Sequence, residues 1–203
     1  MRSAPGLADH LRQRGIRDEK LLAAFAEVQR EMFLPVAMRG EAYEDKPLPI
    51  GLGQTISQPY MVAIMVEALR LTGSENVLEV GGGCGYHAAI LSRMARKVTS
   101  IELLPELAVQ AKANLKTAGG FEDVEVICGD GMAGWPSGAP YDAISVAAAA
   151  IAIPQALLDQ LADGGRLVIP IGGGDEQELT LMERRGNQFE RRTGGRCRFV
   201  PLV

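Results

Sequence analysis

The sequence predicts an α/β fold, doubly wound, with a mostly parallel sheet that ends in an antiparallel C-terminal hairpin. Three observations predict it. Residues 76–86 (Asn-Val-Leu-Glu-Val-Gly-Gly-Gly-Cys-Gly-Tyr) read as a short buried strand, a glycine loop and the start of a helix. Beyond them, strand-like and helix-like stretches alternate, as they do when parallel strands are joined by right-handed crossovers. Near the end, residues 178–183 alternate apolar with polar, Arg185-Gly186-Asn187 reads as a hairpin turn, and residues 196–202 are again strand-like.

The elements follow in order. Residues 7–14 suit a short helix, with Leu7 and Leu11 one turn apart and Gly15 as the stop. Asp18 suits the N-cap of a helix over 19–30 that puts Leu21, Leu22, Phe25 and Val28 on one face. Arg30 and Glu31 then read as surface charges. Residues 33–59 are interrupted by Pro35, Pro47, Pro49 and Pro59 and by Gly40, Gly51 and Gly53. Long irregular segments inside a domain are usually functional or disordered, and the apolar residues kept here (Phe33, Leu34, Tyr43, Leu48, Ile50, Ile56) predict an ordered loop. A helix over 59–71 opens on Pro59, with Ser57 or Gln58 at its cap, and stops at Gly73. Further helices are predicted over 86–96, 105–117 and 154–161, and further strands over 97–101, 123–128, 141–146 and 166–171. The C-terminal strands carry Arg184, Arg185, Arg191, Arg192, Arg196 and Arg198. Such charges discourage edge-to-edge pairing of sheets, the favoured reading, beside attraction for acidic peptides.

Composition bounds the function. A chain of 203 residues suits one domain, and 47% hydrophobic with 23% charged residues is ordinary for a globular protein. A net charge of −4 gives a nucleic-acid partner no support. Cys84, Cys128 and Cys197 lack metal-ligand spacing and read as reduced thiols of a cytoplasmic protein. No run approaches the roughly 18 apolar residues of a membrane span, and no signal peptide is apparent.

The glycine loop carries the first chemical signal. Glycines let a backbone approach a ligand, and the helix start offers free N–H groups. The dinucleotide fingerprint needs a small residue where this chain has Tyr86, so that reading does not fit. The run instead reads acidic-x-Gly-x-Gly-x-Gly, with Glu79 in the strand, and resembles S-adenosylmethionine-dependent methyltransferases. Three features agree with a nucleotide in the crevice. Glu102 ends the next strand, where a carboxylate can accept from ribose hydroxyls. Asp130, in Gly129-Asp130-Gly131, can accept from an adenine amino group. The small residues 147–150 leave room at the end of a further strand.

Other stretches narrow the resemblance. Gly53-Gln54-Thr55-Ile56-Ser57-Gln58-Pro59 is the most specific. Phe33-Leu34-Pro35, Ala42-Tyr43 with Asp45, Leu48-Pro49-Ile50, Ala139-Pro140-Tyr141-Asp142, Ile153-Pro154-Gln155-Ala156-Leu157 and Arg198-Phe199-Val200-Pro201-Leu202 support it. Over nearly its whole length the chain resembles the protein-L-isoaspartate O-methyltransferases. The resemblance implies a Rossmann-like methyltransferase sheet in a single domain. Its parts would be N-terminal helices with an active-site loop (1–58), a cofactor-binding core (59–175) and C-terminal strands (176–203). It implies methyl transfer from S-adenosylmethionine, leaving S-adenosylhomocysteine, to the free carboxylate of L-isoaspartyl residues in damaged proteins or peptides, which starts their repair. It makes Ser57 the active-site serine. It places Gln54, Thr55, Ile56, Glu79, Gly81, Gly83, Gly85, Glu102, Leu103, Asp130 and Gly131 around the cofactor, and Val200, Pro201 and Leu202 with Ser57 at the substrate. No metal is implied. The partners expected are isoaspartyl proteins or peptides, met by a monomer, with no nucleic acid and no membrane.

Two matters stay open. Ser57 is either an acceptor-binding residue or a plain helix cap. Gly82, Cys84 and Ala147 depart from the family pattern, where Thr or Ser, Ser, and Thr or Gly are usual. That keeps in view a related carboxyl methyltransferase for a specialised acidic or modified peptide, beside a non-catalytic cofactor-binding protein. His10 reads as a surface residue, and His87 as a helix residue beside the loop that is not a base.

Overall fold

A computed structural model describes residues 3–174 and 176–203. The short apolar strand before the glycines, β3 (Asn76–Val80), is the centre of the sheet. Val77, Leu78 and Val80 are buried on both faces, as the lack of apolar–polar alternation requires. Parallel to it lie β4 (Lys97–Glu102) on one side and β6 (Tyr141–Val146) on the other. The full order of the seven strands is β5-β4-β3-β6-β7-β8-β9. Here β5 is Val124–Cys128, β7 Leu161–Ile171, β8 Gln177–Arg185 and β9 Gln188–Cys197. The chain therefore runs outward from β3 to β5, then returns to lay β6 against β3. That reversal opens a crevice at the C-terminal ends of β3 and β6. The β7–β8 and β8–β9 pairs are antiparallel, so the predicted C-terminal hairpin is present.

Helices cover both faces. α4 (Tyr86–Ser92) and α5 (Pro105–Ala118) pack beside β4 and β5, and α3 (Pro59–Leu69) lies on β6 and β7. α1 (Ala4–Gln13) and α2 (Glu19–Glu27) pack together and extend this core through Leu7, Leu11, Leu21, Leu22 and Phe25. Asp18 caps α2 as expected, accepting from Lys20 and Leu21 N–H. The short α6 (Gln155–Asp159) precedes β7.

The structure corrects several boundaries. The loop over 33–59 is ordered but not wholly irregular. It follows a 3₁₀ turn, Arg30–Phe33, that comes after α2 ends at Glu27 rather than 30, and it holds a second, Val36–Glu41, and a small antiparallel pair, β1 (Leu48–Gly51) with β2 (Gln54–Ile56). The helix predicted over 86–96 ends at Ser92, and β7 begins at Leu161 rather than 166 because Leu161 pairs with Tyr141. Residues 198–202 do not continue the hairpin. They turn back to the strand ends after β6, where Ala149 N–H donates to Val200 O and Leu202 N–H donates to Ala149 O.

Arg30 is the largest correction. It is fully buried, not a surface charge. Glu31 is half-buried and accepts from the Tyr43 hydroxyl. His10 is half-buried as well, with Nε2 3.3 Å from Asp45 Oδ2.

Candidate active site

The crevice is walled on one side by backbone. After Val80 the chain turns through Gly81, Gly83 and Gly85, all at positive φ (88°, 53° and 90°), which side-chain-bearing residues rarely adopt. Gly81 and Gly82 N–H both donate to Ile101 O, pinning the loop to β4. Gly83 N–H donates to Glu102 Oε2 at 2.7 Å, and Leu104 N–H donates to Glu102 Oε1 at 2.9 Å. Glu102 is thus buried and aimed before any ligand arrives, with lone pairs left on both oxygens. Close approach is enforced at Gly131 too, where a Cβ would stand 2.3 Å from Val80 Cγ1.

Two adjoining cavities result. The first, of about 690 Å³, is lined by Gln54, Thr55, Gly81, Gly83, Glu102, Leu103, Gly131, Ala147, Val200, Pro201 and Leu202 among others. The second, of about 350 Å³, is lined by Thr55, Ile56, Ser57, Gly81, Gly82, Gly83, Cys84, Tyr86, His87 and Ala147. Most of the residues the sequence pointed to therefore meet at one place. Three stand apart from the cavity walls. Gly85 is the N-cap of α4 and packs against α5, where a Cβ would lie 3.3 Å from Ala111 O and Leu115 Cγ. Asp130 is exposed and accepts from Met132 N–H. Glu79 is fully buried behind the loop.

Glu79 heads a buried polar cluster. Its Oε2 accepts from the Ser100 hydroxyl, while Oε1 has no hydrogen-bond partner. Burial pushes its pKa up to about 8. His87 Nδ1 lies 3.9 Å from Glu79 Oε1, and Nε2 is 3.4 Å from Ser145 Oγ. Burial pushes His87 down to about 4, so its imidazole is neutral at pH 7. A Cβ on Gly82 would lie 2.4 Å from Ser100 Oγ. Ser100 thus fills the space a larger residue at 82 would need.

The other wall is held by side chains. Ser57 does not cap α3. The N-cap is Gln58, without a side-chain bond, and Asp45 Oδ1 accepts from Tyr60 N–H in that first turn. The Ser57 hydroxyl makes no hydrogen bond within the described residues, and it borders the second cavity. Beneath it, the guanidinium of Arg30 donates to the carbonyls of Ala42, Glu44, Lys46 and Ser57. Sequence reading missed Arg30 because it follows a helix of mixed polarity. The apolar Val28, Phe33 and Leu34 around it were the available signal.

These walls match a known family from end to end. The family model of protein-L-isoaspartate(D-aspartate) O-methyltransferase covers residues 2–203. The chain belongs to the protein-L-isoaspartate O-methyltransferase family. A family member from Marinobacter nauticus, protein-L-isoaspartate O-methyltransferase 2, is 54% identical over 192 residues, 94% of this chain and 87% of that one. The Methanoregula boonei enzyme of the family is 54% identical over 190 residues, with the same coverage of both. A solved protein-L-isoaspartate O-methyltransferase superposes with a TM-score of 0.88 at 32% identity, covering 98% of this chain and 65% of that chain. At 24% identity, a Plasmodium falciparum structure in complex with S-adenosyl-L-homocysteine shares the fold, with a TM-score of 0.86 over 100% of this chain and 99% of that one.

Proposed function

We propose that this protein moves a methyl group from S-adenosylmethionine to the free carboxylate of an L-isoaspartyl residue, the first step in repairing an aged peptide bond. One observation carries the reading beyond family membership. Ser57, whose hydroxyl is uncommitted and which does not cap its helix, borders a cavity that shares Thr55, Gly81, Gly83 and Ala147 with the larger one. The glycine cradle and the aimed Glu102 fit an adenosyl amino acid. Glu102 would hold the ribose hydroxyls, and Gln54, Thr55, Ile56, Gly81, Gly83, Leu103 and Gly131 would enclose the rest. Asp130 and Gly85 support the loops from outside the walls. When bound, the cofactor supplies an electrophilic methyl on a sulfonium.

The protein has little chemistry to perform. A carboxylate with an ordinary pKa near 4 is ionised at pH 7 and needs no base. His87, neutral and held between Glu79 and Ser145, is not placed to act as one. Ser57 donates to one acceptor oxygen and so aims the other at the methyl. Val200, Pro201 and Leu202 line the larger cavity and receive the peptide. These side chains also exclude water, which favours a step in which two opposite charges cancel. The protein works as a monomer in the cytoplasm, without a nucleic-acid partner. No helix of the described residues is long and apolar enough to cross a membrane.

The test compares initial rates on an isoaspartyl peptide at saturating cofactor. Ser57→Ala should lose about ten- to a hundredfold, the worth of one aimed hydrogen bond. Ser57→Asp should lose nearly all activity, because a second anion repels the acceptor. An active Ser57→Asp enzyme would remove the serine from the acceptor site.

A further inference from the structure

We propose that Arg30 is a positioning residue for the acceptor carboxylate, acting through the backbone carbonyl of Ser57. This rests on the reading of Ser57 as the residue that aims that carboxylate.

Arg30 is fully buried, and among the described residues no carboxylate pairs with it. Buried arginines without an acid are costly, so the carbonyls that replace the acid are informative. One terminal nitrogen, Nη2, donates both to Lys46 O at 3.2 Å and to Ser57 O at 3.0 Å. Lys46 lies just before β1 and Ser57 just after β2. A single nitrogen therefore ties together the two ends of the β1–β2 hairpin. The other, Nη1, donates to Ala42 O at 2.6 Å and to Glu44 O at 3.3 Å. The guanidinium carbon lies 5.8 Å from the ring centroid of Tyr86, the residue that opens α4 directly after the glycine loop. Arg30 thus ties the wall that carries Ser57 and packs beside the first residue after the other wall.

A planar fork suits this task and an ammonium does not. Guanidinium presents its donors in two fixed directions, whereas a lysine offers three from one point. Lysine at 30 has three donors on one nitrogen for the four carbonyls that two arginine nitrogens serve, so at least one is left unpaired. Ser57 would then be free to drift, and a misplacement of about 1 Å costs on the order of a hundredfold in rate.

The experiment is a double-mutant cycle on the full chain, with wild type, Arg30→Lys, Ser57→Ala and the double variant assayed on an isoaspartyl peptide at saturating cofactor. Calorimetry with S-adenosylhomocysteine accompanies each. Arg30→Lys should lower kcat about ten- to a hundredfold and leave the S-adenosylhomocysteine Kd within about twofold. In the Ser57→Ala background the same change should cost less than about threefold, because the group it positions is gone. Losses that multiply, or a fall in kcat matched by weaker S-adenosylhomocysteine binding, would show a general structural role and overturn the proposal. Ser57→Ala at the wild-type rate would instead overturn the serine's role, and the two failures are distinct. If Arg30→Lys does not fold, replacing Gln58 by its α-hydroxy acid weakens the Ser57 carbonyl as an acceptor while leaving Arg30 in place. The Gln58 N–H lost in this exchange donates to nothing among the described residues. A kcat lowered about three- to tenfold supports the proposal. An unchanged kcat overturns it.

Discussion

The glycine loop and the segment from Ala42 to Ser57 border the same cavity but are held in opposite ways. The loop is held by its own backbone, through Gly81 and Gly82 N–H on Ile101 O and Gly83 N–H on Glu102. Its shape follows from residues close together in sequence and from the two neighbouring strands. The Ala42–Ser57 segment has only a two-strand pair of its own, which is marginal in water. It is held from outside by Arg30, and by Tyr60 N–H, Arg14 and His10, which meet its own Asp45 carboxylate. The difference separates two tasks. A cofactor wall can be rigid because its ligand is always the same. A wall that must receive a carboxylate on a peptide chain needs a hydroxyl held in place at one point while the rest accommodates variable residues.

If the walls are separate in this way, changes to the cofactor wall should alter binding of S-adenosylhomocysteine, whereas Ser57 variants should not. Glu102→Ala should have the largest effect. It removes the proposed ribose acceptor and leaves Gly83 and Leu104 N–H unpaired, so calorimetry should show S-adenosylhomocysteine binding weakened by about 1–3 kcal/mol and melting should show lower stability. An unchanged affinity would take Glu102 out of the site. NAD should not bind the wild type in the same experiment.

Gly131→Ala comes next. The added methyl meets Val80 Cγ1 at 2.3 Å, and overpacking of this kind costs about 1–3 kcal/mol, read as a lower Tm together with weaker S-adenosylhomocysteine binding. A variant with normal Tm and affinity would mean that this part of the wall can move.

Glu79→Gln should have the smallest effect at acidic pH, where the glutamate is neutral as well, and one that grows as pH rises. The folded-state pKa of Glu79 is raised to about 8. Its contribution to stability is therefore fully present below the ordinary carboxylate pKa near 4.5 and is lost as pH rises through about 8. Glutamine stays neutral throughout, so the Tm of the variant relative to wild type should climb between pH 5 and pH 8. A constant difference across that range would mean that Glu79 is ionised in the folded protein.

The same contrast explains what was legible in the sequence. Val77–Val80 declare themselves as an apolar strand with one acid, Gly81, Gly83 and Gly85 by positive φ, and Glu102 by its place at the end of β4. The parallel, doubly wound sheet followed from the alternation of strands with helices, and the turn at Gly186-Asn187 from its residues. Arg30 was not legible, since its partners are carbonyls 12 to 27 residues away and a carbonyl leaves no mark in a sequence. The open question at Ser57 needed Asp45, which lies 15 residues before the Tyr60 amide whose hydrogen bond it accepts in the first turn of α3. The cluster of Glu79, Ser100, Ser145 and His87 was equally hidden, because four strands and helices have to assemble before those side chains meet.

The measurement that bears most directly on the whole account is tritiated methyl transfer to two synthetic peptides that differ only in one residue, isoaspartate in one and normal aspartate in the other. The account predicts base-labile incorporation into the isoaspartyl peptide, absent from its aspartyl twin and abolished when excess S-adenosylhomocysteine fills the cofactor wall. Equal labelling of both peptides, or labelling of neither by protein that binds S-adenosylhomocysteine normally, would contradict it.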